Sequence, residues 1–206
     1  MKNIILICLL WLVPASVLGQ QHTSLQAIGE FSDSLIAIKK ADQWGFADME
    51  NKIVIDYRDD VVTEEYTKSI TSKAPVFKNG LCMIVADKDG IPFYGFIDKS
   101  GQIAITPQFL NVTNFNNGYA IAIVAERKNR GRNEYLNKDI IAYSFYEVII
   151  NREGQIVKDL GDVPHILMTA KKYKKPYSTS HFVSPLQVAT ETNTGEWQLI
   201  YINTNQ

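Results

Sequence analysis

The sequence predicts an all-β fold, an array of about four three-stranded antiparallel β-meander repeats, and three observations support this prediction. Residues 77–109 contain three runs of strand-forming residues separated by turn signals. Weaker copies of this stretch occur at about residues 31–57, 115–160 and 182–206. Aromatic residues recur along the copies at a spacing of about 50 residues, which is typical of repeat arrays. A small four-bladed β-propeller is the alternative architecture, because four copies permit closure.

The clearest copy shows how each strand of the repeat is specified. Residues 81–86, 93–97 and 103–105 are apolar or aromatic runs rich in residues that favour strands. The first two runs are separated by D-K-D-G at residues 87–90, and the last two by D-K-S-G at residues 98–101. Asp and Gly at these places favour tight turns, since Asp bonds its own downstream backbone and Gly accepts a positive φ. The stretch therefore predicts one meander.

The other copies keep the outline of this repeat. Their second strands carry one recurring aromatic residue, at Trp44, Tyr94, Tyr146 and Trp197. Because the ring recurs in every copy, we expect it to pack structurally rather than to bind a sugar. Where Gly follows the ring, we expect an aromatic side chain of a neighbouring strand to lie across the bare backbone. In the first copy Asn51 stands at the turn position of Gly101, and Asn is the usual substitute where the backbone is left-handed.

These motifs resemble the WG-repeat family, whose consensus combines F-x-x-G-L-A-x-V, W-G-[YF]-I-D and G-x-I-x-I-x-P-x-[YF]. The matching segments are F-K-N-G-L at 77–81, Y-G-F-I-D at 94–98 and G-Q-I-A-I-T-P-Q-F at 101–109. The first copy loses the closing Pro, copies three and four lack the Gly, and copy four ends before its third strand. The resemblance implies a β-repeat fold and brings no reaction or cofactor with it.

The N-terminus predicts export. Residues 1–19 combine a charged Lys2, an apolar core at residues 4–13 and small residues at 14–19, the pattern of a secretory signal peptide. The apolar core is shorter than the roughly 20 residues that a membrane-spanning helix needs, so we expect no stable membrane insertion after the signal is removed. Residues 20–206 would form the β-repeat domain. The protein would then be periplasmic, at the cell surface or extracellular.

Composition narrows the class of protein. The chain has 21 Lys and Arg against 22 Asp and Glu, a balance that argues against nucleic-acid binding. Of its two cysteines only Cys82 would remain after export, which excludes an internal disulfide in a monomer. Stability must then come from an apolar core, which the 46% hydrophobic content makes reasonable.

Two long links and one insertion interrupt the repeats. In the first link Val62, Tyr66 and Ile70 recur at helical spacing and predict a helix of about two turns. The second link, residues 160–182, is predicted to be an irregular surface loop because it contains two prolines and a Lys-rich stretch. The insertion, residues 126–133, is polar and basic and lies inside the third copy.

The basic insertion is the candidate interaction surface. Its members are Arg127, Lys128, Arg130 and Arg132. One hypothesis is a protruding hairpin that contacts an acidic partner or an anionic surface. The structural alternative is a solvated loop whose charges keep neighbouring strands from pairing edge to edge.

No catalytic, metal-binding or cofactor-binding residues are predicted. The motifs for a nucleophile elbow, a phosphate loop and a dinucleotide fold are missing, and the three histidines lack metal-ligand spacing. Two functional hypotheses remain. The first is an exported, noncatalytic interaction module for an unknown protein or envelope component. The alternative is a cell-envelope hydrolase or carbohydrate-acting enzyme, which a cluster of convergent carboxylates in a cleft would favour.

Overall fold

Four antiparallel sheets follow one another along the chain in the computed structural model, which describes residues 21–65, 73–192 and 194–203. The first sheet contains β1 (Ala27–Ser32), β2 (Leu35–Lys40), β3 (Gln43–Ala47) and β4 (Ile53–Arg58). A small hairpin of β5 (Glu64–Glu65) and β6 (Lys73–Ala74) follows. The second sheet contains β7 (Phe77–Lys78), β8 (Leu81–Lys88), β9 (Ile91–Asp98) and β10 (Ile103–Phe109).

The third sheet contains β11 (Asn111–Val112), β12 (Tyr119–Asn133), β13 (Lys138–Asn151) and β14 (Ile156–Asp162). The fourth contains β15 (His181–Ser184), β16 (Gln187–Glu191) and β17 (Trp197–Tyr201). Within each sheet every strand pairs with the next one in sequence, and the described residues contain no helix and form no closed propeller. The predicted all-β array of meanders is confirmed.

An opening strand makes the first three sheets four-stranded rather than three-stranded. In the second sheet Phe77 pairs with Cys82 across a two-residue turn, Asn79-Gly80. Both turn residues have positive φ, 55° and 79°, which gives the tight mirror-image turn that hairpins favour. The sequence prediction missed this strand because two residues are too short for a periodic pattern.

The closing turns agree with the prediction made from Asp, Asn and Gly. The Asp98 carboxylate accepts hydrogen bonds from the backbone N–H of Ser100 at 2.8 Å and of Gln102 at 3.1 Å. The hydroxyl of Ser100 also donates to it, and this bond is the main cause of the lowered pKa of Asp98. Gly101 has a φ of 84° and Asn51 a φ of 61°, so Asn does replace Gly at a left-handed position.

Stacking of successive sheets forms the core. At the first boundary Phe46 meets Phe77 edge to face, with ring centroids 4.8 Å apart. At the second boundary Phe96 meets Phe115 in the same way at 4.9 Å. The third boundary is smaller, and its buried residues are Ile121, Ile149, Val188 and Ile202.

The predicted equivalence of the four ring positions is wrong for the third copy. Trp44 and Tyr94 are buried and lie four residues before the Asp of the closing turn, whereas Tyr146 lies five residues before Asn151. Neighbouring strand residues point to opposite faces, so this one-residue difference places Tyr146 on the other side of its sheet. Glu147 therefore occupies the ring position in the third sheet, since it lies four residues before Asn151.

The expectation that an aromatic ring lies across the strand glycines is wrong for Gly95. A Cβ on Gly95 would lie 2.4 Å from the carbonyl oxygen of Ile105 and 2.6 Å from the nitrogen of Pro107, so backbone rather than a ring covers it. In the first sheet a Cβ on Gly45 would lie 3.3 Å from the Tyr57 ring, as expected. β10 shifts its register between Ile105 and Phe109 and continues past Pro107, which brings its backbone onto Gly95.

The two links differ in how much of them is described. Tyr66 and Ile70 of the predicted helix lie outside the described residues, as does the predicted signal segment. Val61 forms a bridge with Ile84, so the start of that link is extended. Residues 163–180 contain no strand, in agreement with the predicted irregular loop. None of the described segments is a helix of sufficient length and apolarity to span a bilayer.

Candidate functional site

The basic insertion extends the central hairpin of the third sheet. β12 and β13 have 15 and 14 residues, whereas β8 and β9 have 8 each. Residues 126–144, which we call the arm, form the outer part of this hairpin. Its first pair, Glu126 with Ser144, corresponds to the last pair of β8 and β9, and residues 127–143 extend beyond it. The insertion is therefore paired strand and turn and not an irregular loop.

The base of the arm is fixed by apolar packing. Ile123 and Phe145 are buried against Ile166 of the second link. The Phe145 ring lies 5.8 Å from His165, edge to face, and stacks on Tyr143 at 6.3 Å. The base of the arm is therefore packed against the second link.

The four basic side chains of the candidate surface do not all share one face. Arg127 pairs with Tyr143 and Lys128 with Ala142, and adjacent strand residues point to opposite sides. A register shift lies between Asn129 and Arg132 and displaces the residues beyond it. The arm is therefore a two-sided basic element.

Local pairing reduces the number of free charges on the arm. Lys128 forms an ion pair with Glu126 at 2.9 Å, and the hydroxyl of Tyr146 lies 3.2 Å from the same carboxylate. The hydrogen bond from Lys128 lowers the pKa of Glu126 and raises the pKa of Lys128. Arg127 and Arg130 are exposed and form no ion pair with any described residue, so they are the charges most available to a partner.

The tip of the arm exposes two large apolar side chains that the sequence analysis did not select. Tyr135 is fully exposed and Leu136 is 67% exposed. They stand inside an otherwise polar stretch, N-E-Y-L-N at residues 133–137, and this contrast is the signal that could have identified them.

A cleft of about 490 Å³ lies between the third and fourth sheets beside the second link. Its polar lining includes Glu147, Asp162, His165, Lys174, Tyr177 and Glu191. Only Glu147 is buried among these residues; the others are exposed at its rim. No residue of this cleft was predicted as a site residue, because β13, the link and β16 are far apart in sequence.

Glu147 anchors the link to the third sheet. Its carboxylate accepts hydrogen bonds from the hydroxyl of Ser178, from Thr179 Oγ1 at 3.2 Å and from Ser180 Oγ at 2.6 Å. The backbone N–H of Ser180 donates to it at 3.3 Å. The hydroxyl of Ser180 also lies 2.8 Å from Thr190 Oγ1 in β16, so the network joins the third sheet to the fourth. A buried charge is stable only when it is bonded in this way.

Asp87 and Cys82, two residues with chemically active side chains, have structural positions. No group of three or more His, Cys, Asp or Glu side chains among the described residues is placed to hold a metal ion. The Asp87 carboxylate accepts the backbone N–H of Gly90 at 2.8 Å, which is the hydrogen bond of a turn. Cys82 is fully buried in the core between the first two sheets.

Sequential antiparallel meanders stacked through their faces define a β-repeat protein. A family model described as WG containing repeat matches residues 94–124, which run from β9 through β10 and β11 into β12. This match supports the assignment of the chain to the WG-repeat family. Neither the curated proteins nor the solved structures gave a match to this chain.

Proposed function

We propose that this protein is an exported, noncatalytic β-repeat protein that binds a protein partner with an acidic surface through the arm. The observation that carries the proposal is that one hairpin, packed at its base, exposes both apolar and basic side chains. Exposed Tyr135 and Leu136 lie on the same short arm as exposed Arg127 and Arg130. Tyrosine and arginine are enriched among residues that dominate binding energy at protein interfaces.

The charge of the arm favours an acidic partner. Residues 126–139 contain five Lys or Arg and three Asp or Glu. Lys128 is already neutralised by Glu126, so the available positive charge lies mainly on the arginines. Guanidinium groups bind carboxylates through two parallel hydrogen bonds, which gives orientation as well as attraction.

The cleft favours a noncatalytic function over the hydrolase alternative. A general acid or base must reach the proton that it transfers. The Glu147 carboxylate is buried and its two oxygens are engaged by three hydroxyls and one backbone N–H. This arrangement suits a structural anchor, and the carboxylates at the rim are solvated.

Export is proposed from the pattern of residues 1–19. Mass spectrometry of the protein purified from its own cells is expected to show an N-terminus after Gly19. An intact Met1 terminus, or a lipid attached to Cys8, would exclude the proposed processing.

Crosslinking in native cells tests the arm. The quadruple change of Arg127, Lys128, Arg130 and Arg132 to Ser, and the double change Tyr135→Ser with Leu136→Ser, should each remove most of the crosslinked partner. Neither should alter stability much, because exposed side chains contribute little to folding. Binding by the wild type should also weaken as salt rises, because attraction between exposed charges is screened over about 8 Å at physiological ionic strength.

A matched control uses exposed apolar residues elsewhere. Met49→Ser with Ile103→Ser changes two side chains that are exposed on the first and second sheets, and it should leave the crosslinked partner unchanged. Full retention of the partner by both arm variants would exclude the arm as the binding surface. The charged arm would then serve to prevent strand pairing between molecules.

A further inference from the structure

The outer edge of β12 is open along the arm. Its neighbour on that side, β11, contains only Asn111 and Val112, which pair with Ile123 and Ala122. β12 continues beyond this pairing as far as Asn133, and no strand of the described residues pairs with the outer side of that part. An open edge presents a row of main-chain donors and acceptors with which a further strand can pair.

The hydrogen bonds to β12 show which of its residues point outward. The carbonyl oxygen of Ile121 accepts the backbone N–H of Thr113 at 2.9 Å. The carbonyl oxygen of Ile123 accepts the backbone N–H of Leu110, also at 2.9 Å. In an antiparallel sheet the N–H and C=O of one residue face the same neighbouring strand, and the direction alternates along the chain. The odd-numbered residues of β12 therefore direct their main-chain groups away from β13.

The outward main-chain groups beyond β11 belong to Ala125 at the base of the arm and to Arg127 and Asn129 within it. β12 pairs with β13 without a register shift as far as Asn129, so the alternation continues to that residue. None of the three forms a backbone hydrogen bond on its outer side with any residue that the structure describes. The register then shifts, which ends the regular edge. An extended segment of about five residues matches its length.

The other edge of the arm is already occupied at its base. The carbonyl oxygen of Phe145 points away from β12 and accepts the backbone N–H of Val163 at 2.9 Å. Tyr143, Val163 and Met168 also pack against the apolar cluster that contains Phe145. The second link therefore covers the β13 side at this level, and the β12 side is the edge available to a partner.

Charge decides which kind of strand fits this edge. Residues 126–133 contain four Lys or Arg and one Glu, and the exposed Arg127 forms no ion pair with any described residue. A second copy of the arm would place basic side chains opposite Arg127, and like charges directly opposite each other destabilise a strand pair. A carboxylate there is attracted instead and can accept two parallel hydrogen bonds from the guanidinium. The edge therefore disfavours its own copy and favours an acidic strand.

We propose that an extended acidic segment of the partner adds as an antiparallel strand to the outer edge of β12, with its backbone bonded to Ala125, Arg127 and Asn129 and a carboxylate opposite Arg127. This inference rests on the proposed function, because it specifies how the arm holds an acidic protein. Main-chain hydrogen bonds to an open edge supply affinity in this mode of recognition, and the side chains supply specificity.

A blocked seven-residue peptide in which glutamate and valine alternate tests the proposal, with binding measured by fluorescence anisotropy. The peptide residue opposite Arg127 exchanges both of its main-chain hydrogen bonds with it, so the glutamates direct their N–H groups to β12 and the valines direct theirs away. N-methylation of the glutamates should therefore weaken binding at least about tenfold, whereas N-methylation of the valines should leave it nearly unchanged. The two methylated peptides carry the same charge and serve as matched controls. Equal binding by both, or a larger loss on methylation of the valines, would overturn the proposal.

Hydrogen exchange locates the bound peptide. The amides of Arg127 and Asn129 should exchange more slowly when the unmodified peptide is present, while that of Lys128, which faces β13, should change little. Arg127→Ser should weaken binding of the peptide, and Arg127→Lys should retain part of it. Failure of the unmodified peptide to bind would also overturn this inference. The proposed function would still stand if the arm variants lost the crosslinked native partner, because the partner would then bind the arm through side chains alone.

Discussion

The boundary between the third and fourth sheets, which we call the outer boundary, is built differently from the two inner boundaries, which separate the first from the second sheet and the second from the third. Between the first three sheets, an Asx side chain of one opening turn accepts the backbone N–H of the next. The carboxylate of Asp33 accepts a hydrogen bond from the backbone N–H of Gly80 at 2.6 Å. The side-chain oxygen of Asn79 accepts one from the backbone N–H of Gly118 at 3.1 Å. Asn117 instead bonds Asn116 of its own turn. The fourth opening turn contains Pro185, whose ring fixes a negative φ and therefore excludes the left-handed turn.

The contacts of the closing turns also differ between the inner boundaries and the outer boundary. A Cβ on Gly101 would lie 3.1 Å from Ile55, and a Cβ on Gly154 would lie 2.9 Å from Ile105, so each turn packs on the closing strand of the preceding sheet. The corresponding residue of β14 is Lys158, which is exposed. The inner boundaries repeat one set of contacts, whereas the outer boundary replaces it with the Glu147 network. A repeat array can therefore build a new cleft where a few positions depart from its own pattern.

The largest effect is expected inside the second sheet, where β9 lies closely against β10. In Gly95→Val the new side chain would meet backbone atoms of β10 that cannot rotate away, the closest at 2.4 Å. We expect a loss of at least about 3 kcal/mol in the free energy of unfolding, measured by urea denaturation.

Gly131→Val in the arm is the control for this variant. Nothing lies within 4 Å of its Cβ position, but its φ of 120° means that a side chain is strained there. The expected cost is therefore only the strain of about 1 to 2 kcal/mol, confined to the arm. Equal losses for the two variants would mean that packing around Gly95 is looser than the structure shows.

The sequence predicted the repeats because their information is local. Turn residues and strand runs are clear in the second copy and recur in weaker form in the others, and residues 98–101 and Asn51 adopted the expected turn geometry. The equivalence of Tyr146 with Tyr94 could not be decided in this way, because a one-residue difference in register leaves the spacing between rings almost unchanged. The pairing of Tyr119 with Asn151 fixes it, and its sign in the sequence is that Tyr146 lies five residues before Asn151 whereas Tyr94 lies four before Asp98.

A second prediction tests the outer boundary. Glu147→Gln keeps the shape of the side chain but replaces one acceptor oxygen by an N–H₂ group. This group would face either the hydroxyl of Ser178 and the backbone N–H of Ser180 or the hydroxyls of Thr179 and Ser180. We expect a loss of about 2 kcal/mol, since hydrogen bonds to a charged group are stronger than neutral ones. The link should also detach locally, and trypsin should cut faster after the exposed Lys174.

An unchanged cleavage rate in Glu147→Gln would show that the link is held by its apolar contacts and not by the Glu147 network. Those contacts are made by Ile166 and its neighbours on the base of the arm. Tyr94 lies under Lys175, whose Nζ is 4.1 Å from the ring centroid, and this contact would then also contribute to holding the link.

A third prediction compares the two kinds of opening turn directly. Asn79 donates to the carbonyl of Phe115 at 3.3 Å and accepts Gly118 N–H, whereas Asn117 bonds within its own repeat. Both residues have a similar positive φ, 55° and 49°, so changing either one to Ala introduces a similar backbone strain. The difference in the free energy of unfolding between Asn79→Ala and Asn117→Ala, measured by thermal unfolding, should then equal the contribution of the hydrogen bonds between repeats, about 1 to 2 kcal/mol. If Asn79→Ala and Asn117→Ala are equally stable, the hydrogen bonds between opening turns do not cause the difference between the boundaries.

The arm and the cleft were only partly accessible from sequence, for a physical reason. A run of basic residues is visible as composition, so the arm could be located, but its strand pairing depends on residues 138–144 opposite it. The cleft depends on Glu147, Ser180 and Thr190, which no local pattern connects. Contacts between distant segments are fixed by the packing of whole sheets, and periodicity does not report them.

The smallest expected effect concerns the pH dependence of the link. Burial raises the pKa of Tyr173 to about 12, and its hydroxyl donates to the carbonyl of Leu110 at 3.3 Å. The neutral phenol is therefore favoured in the folded protein, and its contribution is complete below the ordinary tyrosine pKa of about 10. As pH rises from about 10 to about 12, ionisation becomes easier in the unfolded chain and this contribution is lost. Urea denaturation at pH 8 and near pH 11 should show a larger fall in stability for the wild type than for Tyr173→Phe. Tyr177→Phe removes an exposed phenol of the same link and should behave like the wild type. If Tyr173→Phe loses as much stability at alkaline pH as the wild type, the phenol of Tyr173 is solvated. The link is then held by Glu147 at the outer boundary and not also by Tyr173.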